Sequence, residues 1–269
     1  MKFAFKSIVA VAATLVAASG AHASDWELIS GTGGLTFSTD ALSALSASGS
    51  AIVTPFTVPT IAGLDISGSA NTAAYTKATG NVSLTFSSAV AFNDSLVSLQ
   101  AANSFVQIRR ITFNDDETTT TRSIFMTNFD VNLSTSTISA DLYSRLNSGA
   151  LVNYGKQDIF RADLPGVIGG TQGNIEVIPG TGFYPQGQAS GSLAGSLRMN
   201  LATADIILAD LGLSTAATDP VATLVRTANW GTTQAAGTLQ AIPEPSSYAM
   251  FGMGLLALGV AMRRRGQAA

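Results

Sequence analysis

Cysteine is absent from the chain, and histidine occurs once, at His22. Without thiols the protein has no disulfides, no cysteine nucleophile and no zinc site built on sulfur. If His22 leaves with an export leader, serine–histidine catalysis and metal or haem ligation by histidine are excluded as well. The fold must then rest on a hydrophobic core, for which the roughly 200 residues between the two terminal segments are ample.

Basic residues are scarce in the body of the chain. Five of the 14 basic residues (Lys2, Lys6 and Arg263–Arg265) and one of the 17 acidic residues (Glu244) lie in the terminal segments, which leaves nine basic and sixteen acidic residues. Such a body lacks the basic stripe that nucleic-acid binding requires, so we expect no nucleic-acid partner. Aromatic residues make up only 7% of the chain.

Residues 1–23 have the three parts of a secretory signal peptide. The parts are a positive start (Lys2, Lys6), a short apolar run (8–18) and a small-x-small cleavage site (Ala21 and Ala23, before Ser24). The apolar run is too short to be a good membrane span. We therefore expect export through the Sec translocon, with His22 lost on cleavage.

Residues 242–269 combine three features in order. They are the triplet Pro243, Glu244 and Pro245, an uncharged apolar stretch at about 247–262, and the cluster Arg263, Arg264 and Arg265. Proline fixes φ and lacks an N–H, so the triplet is predicted to be extended. The apolar stretch is near the lower limit for a transmembrane helix, which needs roughly 17–25 residues. The arginine cluster predicts a stop-transfer signal, with the C-terminus on the cytoplasmic side of the membrane.

This tail resembles the PEP-CTERM sorting signal of Gram-negative bacteria. The signal starts with Val- or Ile-Pro-Glu-Pro-Ser/Thr, here Ile242–Ser246, and ends in a short membrane helix and arginines. The resemblance covers only the tail. It implies a precursor anchored in the inner membrane, processing near the triplet by an exosortase (a membrane-embedded cysteine transpeptidase-like enzyme), and a final place at the cell surface or in the extracellular matrix.

Residues 24–231 are predicted to form one exported β-rich domain, an antiparallel β-sandwich with one or two short helices. Val82, Leu84 and Phe86 alternate with polar residues, as in a half-buried strand. Proline interrupts the stretch 52–66, which favours an edge strand.

The strongest local pattern is a hairpin. Its arms keep the same alternation on both sides of the turn Ser134–Thr137, with Phe129, Val131 and Leu133 before it and Ile138, Ala140 and Leu142 after it.

Two short helices are predicted from capping residues. Ser38-Thr39-Asp40 precedes an apolar stretch at 41–45, and Thr203 precedes Ala204–Leu211, with Gly212 as the stop. Residues 232–241 lose the large apolar side chains, which predicts a spacer between domain and tail, although a final strand over 238–240 is an alternative.

Asp115, Asp116 and Glu117 form the one dense acidic cluster. Carboxylates suit calcium, but the spacing fits no EF-hand loop. The favoured interpretation is a solvated hairpin turn between Phe113 and Ile124, so we predict no metal site and no cofactor, with calcium as a weak alternative.

Two further features bear on ligand binding. The pair Arg109-Arg110 in a strand is a candidate for binding an acidic polysaccharide, although charges that protect a strand edge from aggregation are the favoured interpretation. A carbohydrate-binding module would expose aromatic residues on one face, and Trp26 and Trp230 are too far apart in sequence to judge.

The expected function is that of a non-enzymatic surface or extracellular-matrix protein with a structural or adhesive role. An association with exopolysaccharide is what the resemblance to the sorting signal implies. Two alternatives stay open. One is an exported hydrolase acting through two carboxylates, because sixteen acidic residues allow many such pairs. The other is a carbohydrate-binding module.

Overall fold

The computed structural model describes residues 25–53, 61, 71–92, 94–162, 173–179, 185–193, 195–242 and 252–256. Trp26–Ile242 forms one compact unit. In the terminal unit, residues 252–256 are helical. Within the described ranges no helix is both long and apolar enough to cross a membrane. The predicted signal peptide, and the predicted membrane segment except for residues 252–256, lie outside the described residues.

The described part of the Trp26–Ile242 unit, with Asp25, contains thirteen strands and three helices. The strands are β1 (Asp25–Thr36), β2 (Ser50–Val53), β3 (Ala73–Thr76), β4 (Asn81–Thr85), β5 (Ser88–Phe92), β6 (Ser95–Phe113), β7 (Thr119–Asn132), β8 (Thr137–Leu146), β9 (Val152–Ala162), β10 (Gly173–Ile178), β11 (Gln186–Gly191), β12 (Leu197–Met199) and β13 (Thr232–Ile242). The helices are α1 (Thr39–Ala47), α2 (Leu201–Asp210) and α3 (Pro220–Thr227).

The strands form two mainly antiparallel sheets. The smaller sheet has the order β10-β11-β13-β1-β4-β3, and the larger sheet has the order β12-β9-β8-β7-β6-β2, with β5 also paired to β6. One core cluster draws side chains from both sheets, for example Leu84 from the smaller sheet and Ile108 and Leu142 from the larger. The sheets therefore pack face to face as a β-sandwich, as predicted.

The predicted hairpin is confirmed. Strands β7 and β8 pair with Asn132 opposite Thr137. All six apolar side chains of the predicted arms are buried. Strand β2 lies at the end of the larger sheet, so residues 52 and 53 of the predicted edge strand are at an edge. The rest of that stretch, apart from Ile61, lies outside the described residues.

The helices confirm one prediction and correct two. Helix α1 starts as predicted, since the Ser38 hydroxyl accepts from the Ala41 N–H. The predicted cap of α2 is wrong, because Asn200 is the N-cap and Thr203 is buried inside the first turn. Helix α3 makes a third helix where one or two were predicted. Its signal was an Asp-Pro pair, with Asp219 as N-cap and proline at the first helical position.

The prediction of a spacer at 232–241 is wrong. These residues form β13, between β11 and β1 in the smaller sheet, which confirms the alternative of a strand over 238–240. Leu239 is fully buried. A side chain on Gly237 would begin 2.6 Å from the carbonyl oxygen of Ser30, so a small residue is what allows the two strands to approach. The folded domain therefore continues to Ile242 instead of ending at residue 231.

Candidate functional site

A polar groove of about 560 Å³ crosses the outer face of the larger sheet. Ten residues line it: Ser98, Gln100, Asp130, Asn132, Thr135, Thr137, Ser139, Lys156, Asp158 and Arg161. All ten side chains are polar or charged. The groove therefore presents hydroxyl, amide, carboxylate and cationic groups side by side.

Strand register arranges most of these side chains in two rows across β6, β7, β8 and β9. One row is Ser98, Asn132, Thr137 and Arg161, and the other is Gln100, Asp130, Ser139 and Asp158. Neighbouring strands lie about 4.8 Å apart, so each row spans roughly 14 Å. The rows make the groove an open, elongated site that runs across the strands.

A β-bulge in β9 keeps both charged residues of that strand on the outer face. Asp158 and Arg161 are three residues apart, so in a regular strand they would point to opposite faces. The register shifts between Ile138 and Ser139 of β8, and the two residues between the charges, Ile159 and Phe160, are both buried. The bulge thus returns Arg161 to the groove.

Contacts within the protein already orient the groove side chains. Lys156 Nζ forms an ion pair with Asp130 Oδ2. Ser139 Oγ donates to Asp158 Oδ1 at 2.7 Å, and Ser134 Oγ donates to Asn132 Oδ1 at 2.7 Å. Side chains that are held before a ligand arrives lose less conformational entropy on binding.

The other half of the same outer face is covered by apolar residues, which we call the apolar cap: Ile61, Phe105, Phe125, Tyr143 and Leu151. The rings of Phe105 and Phe125 lie 5.5 Å apart between centroids, and both residues are buried. Burial raises the pKa of Tyr143, and the negative charge of Asp141 adds to the rise. The apolar cap is a second small core outside the sandwich.

Two bulges separate the groove from the apolar cap. The register shifts between Ala101 and Phe105 in β6 and between Thr127 and Asp130 in β7. Asn103 and Asn128 take positive φ values of 58° and 52° there, and the Asn103 N–H donates to Asn128 Oδ1 at 3.0 Å. Asparagine tolerates this left-handed conformation better than most residues.

The acidic cluster lies on an exposed hairpin turn, as predicted. Asp116 Oδ1 accepts from the Thr118 hydroxyl at 2.5 Å and from the Thr118 N–H at 3.1 Å. These bonds, with the hydroxyl first, lower the pKa of Asp116. Asp115 and Glu117 occupy the same turn, at the opposite end of β6 and β7 from the groove. Across the described residues, no three His, Cys, Asp or Glu side chains gather as metal ligands.

The arginine pair has a structural contact that the sequence did not predict. Arg110 Nη1 donates to the carbonyl oxygens of Leu211 and Gly212, at 2.9 and 3.2 Å, just after helix α2. A cation is favourable at a helix C-terminus. Arg109 and Arg110 also pair with β2, so the interpretation as strand-edge charges is wrong.

Neither tryptophan provides an exposed binding surface. Trp26 and Trp230 are 7% and 2% exposed. Trp26 Nε1 donates to Asp94 Oδ1 at 2.9 Å, and Trp230 Nε1 donates to the Val225 carbonyl oxygen at 3.0 Å. Both side chains belong to the hydrophobic core.

The predicted processing residues lie outside the described part of the chain. They are the cleavage-site residues Ala21, Ala23 and Ser24, the triplet Pro243, Glu244 and Pro245, and the arginines Arg263, Arg264 and Arg265. Comparison with known families tests the tail instead.

A family model for the PEP-CTERM protein-sorting motif matches residues 241–265. The tail is a PEP-CTERM sorting motif. The resemblance based on the Pro-Glu-Pro triplet and the arginine cluster is thereby confirmed. The motif implies an exported protein that is anchored in the membrane before cleavage, with an exosortase as its processing partner.

Comparison of the fold gives a distant likeness. A matching solved structure is the crystal structure of the C-terminal domain of HtaA from Corynebacterium glutamicum, at 9% identity and a TM-score of 0.39. The match covers 80% of this chain and 99% of that chain. A likeness at this TM-score carries no functional argument. No curated protein matches the chain in sequence.

Proposed function

We propose that this protein is a non-enzymatic component of the cell surface or extracellular matrix that holds polysaccharide in its polar groove. The observation that carries the proposal is the groove itself, with ten polar side chains, eight of them in the two rows. A sugar hydroxyl both donates and accepts hydrogen bonds. The groove matches that chemistry, since its carboxylates accept, its cations donate, and its hydroxyls and amides do both.

The shape of the groove supports binding of a chain. It is open and crosses four strands, so a polymer can pass through it without presenting an end. The sorting motif supports the location, because a protein released by an exosortase reaches the compartment where exported polysaccharide accumulates. A structural or adhesive role follows from these two features together.

A second candidate is an exported hydrolase that uses Asp130 and Asp158. Both residues lie opposite Ser139, one on each side of β8, so about 9–10 Å separates their Cα atoms. Inverting glycosidases place two carboxyl groups roughly 6.5–9.5 Å apart. A general acid, however, is usually kept protonated by apolar surroundings, and the groove lining is entirely polar. We therefore rank this candidate second.

The test follows a tagged protein in a host that has an exosortase and makes exopolysaccharide. The double variant Gln100→Ala/Asp130→Ala should be processed normally but released into the medium instead of being retained in the matrix. Lys77→Gln, an exposed change outside the groove, is the control. Equal retention of all three proteins would contradict the proposal. Release of reducing sugar by the parent, abolished in Asp158→Asn, would establish the hydrolase.

A further inference from the structure

Two arginines face each other at one end of the groove. Arg198 on β12 lies opposite Arg161 on β9. Their chain neighbours Leu197, Met199 and Phe160 are buried, so both arginines point to the outer face. Like charges placed directly opposite each other destabilise a sheet.

The charge of Arg161 is available to a ligand. Arg198 donates to the carbonyl oxygen of Thr227. Within the described ranges, the side chain of Arg161 forms no hydrogen bond or ion pair, and it is exposed. Lys156, in contrast, is paired with Asp130. Arg161 is therefore the cation in the groove lining that an acidic ligand can reach without breaking an existing ion pair.

The opposite end of the same face is apolar. Strand β5 extends the face beyond β6, with Val90 opposite Ser98 and Phe92 opposite Ser95. Val90 and Phe92 are 55% and 61% exposed. Phe92 lies two residues along β5 from Val90, beside that end of the groove, and its exposed ring offers a flat apolar surface on which the C–H face of a sugar ring can pack.

Strand register joins the two ends in one continuous row. The row runs Val90, Ser98, Asn132, Thr137, Arg161 and Arg198 across six strands. Five spacings of about 4.8 Å give a length of roughly 24 Å. The row is thus apolar at one end, rich in hydroxyl and amide groups in the middle, and cationic at the other end.

We propose that the groove takes an acidic polysaccharide whose sugar units carry carboxylates, bound with a sugar ring on Phe92 and a carboxylate at Arg161. This inference rests on the proposed function and names its ligand class. Sugar hydroxyls between the carboxylates match Asp130 and Asp158 as acceptors. A nucleic acid fits less well, because phosphates accept hydrogen bonds only and its backbone offers few hydroxyls to the hydroxyl and amide groups in the middle of the row.

The experiment compares two polymers that differ only in charge, polygalacturonate and its full methyl ester. Each is titrated by calorimetry into the full chain in detergent solution. The parent should bind polygalacturonate at least tenfold more tightly than the ester. Arg161→Gln should weaken polygalacturonate binding by about tenfold, because hydrogen bonds between charged groups are the strong ones, and should leave ester binding unchanged. Phe92→Ala should weaken binding of both polymers.

Lys77→Gln removes the same charge from the exposed turn between β3 and β4 and should change neither affinity. Equal losses of polygalacturonate affinity in Arg161→Gln and Lys77→Gln would mean that only the net charge of the protein matters, which would overturn the inference. Equal affinity for the two polymers would overturn the inference that the ligand is acidic, but it would agree with the proposed function of polysaccharide binding. Absence of binding to both, and to dextran and cellulose oligosaccharides, would contradict the proposed function itself. Tighter binding of duplex DNA than of polygalacturonate would assign the groove to a phosphate polymer.

Discussion

The groove and the apolar cap occupy two halves of one sheet face, and strands β6, β7 and β8 contribute to both. In the apolar cap the outward side chains include Phe105 and Phe125, which are buried. In the groove they include Asp130 and Ser139, which line an open site. The two bulges lie between the halves. The same three strands are thus apolar and closed at one end and polar and open at the other, so each half should respond to its own substitutions.

The largest expected effect separates two phenylalanines on the same face. Phe125→Ala should lower the free energy of unfolding by about 3–5 kcal/mol, because Phe125 is fully buried and its loss leaves a cavity. Phe92→Ala should change it by about 0.5 kcal/mol or less, since Phe92 is 61% exposed. Urea unfolding followed by tryptophan fluorescence measures both. Equal losses would mean that the apolar cap is not a core.

The next effect compares two serines, one that accepts a buried hydrogen bond and one that donates a hydrogen bond in the groove. Ser123 is buried and accepts from Gln107 Nε2 at 3.0 Å, so Ser123→Ala leaves a buried amide donor unsatisfied and should cost about 1–3 kcal/mol. Ser139→Ala, in the groove, leaves Asp158 accessible to water and should cost about 0.5 kcal/mol or less. Urea unfolding followed by tryptophan fluorescence measures both losses. A larger loss of stability in Ser139→Ala than in Ser123→Ala would contradict the view that the groove contributes little to stability.

A smaller effect is expected from the ion pair in the groove. Lys156 and Asp130 side chains are 47% and 24% exposed, and pairs of this kind contribute about 0–1 kcal/mol. Lys156→Met should therefore lower stability by less than about 1 kcal/mol, and the loss should shrink in high salt. Thermal unfolding at low and high salt measures it. A loss as large as that of Phe125→Ala would show that the groove is part of the structural framework.

The smallest effect is a pH dependence in the apolar cap. Burial raises the pKa of Tyr143 above its usual 10.0, so the folded state holds the phenol proton more tightly than the unfolded chain. The resulting stability is complete below pH 10 and is lost as pH rises through the folded pKa. Unfolding free energies of parent and Tyr143→Phe should therefore diverge above about pH 10, with the parent falling faster. Parallel curves would contradict burial of Tyr143. The pKa of Tyr154 is also raised by burial, but Tyr154 is present in both proteins.

Local features were predictable from the sequence because their signals are contiguous. The hairpin through Thr137 follows from alternation on both arms, and helix α1 follows from its serine cap. Strand β13 was predicted only as an alternative over 238–240, because its packing depends on small residues such as Gly237. The absence of large side chains in a stretch is equally typical of a spacer.

The groove could not be predicted, although each of its residues is visible in the sequence. Polar residues such as Gln100 and Asn132 occur on every solvent-facing strand, and only strand register brings those of β6 to β9 together. The bulge that returns Arg161 to the outer face has no clear sequence signal. The sorting motif was predictable because all its parts are adjacent in the chain.

The most direct test of the division between the two halves is a map of the bound polysaccharide by NMR. Uronic-acid oligosaccharides are added to the isotope-labelled protein, and the displaced amide resonances are assigned. We predict displacements at groove residues such as Ser98, Asp130 and Arg161, with the apolar cap unchanged around Phe105 and Phe125. Displacements centred on the apolar cap, or spread evenly over both sheets, would contradict the account.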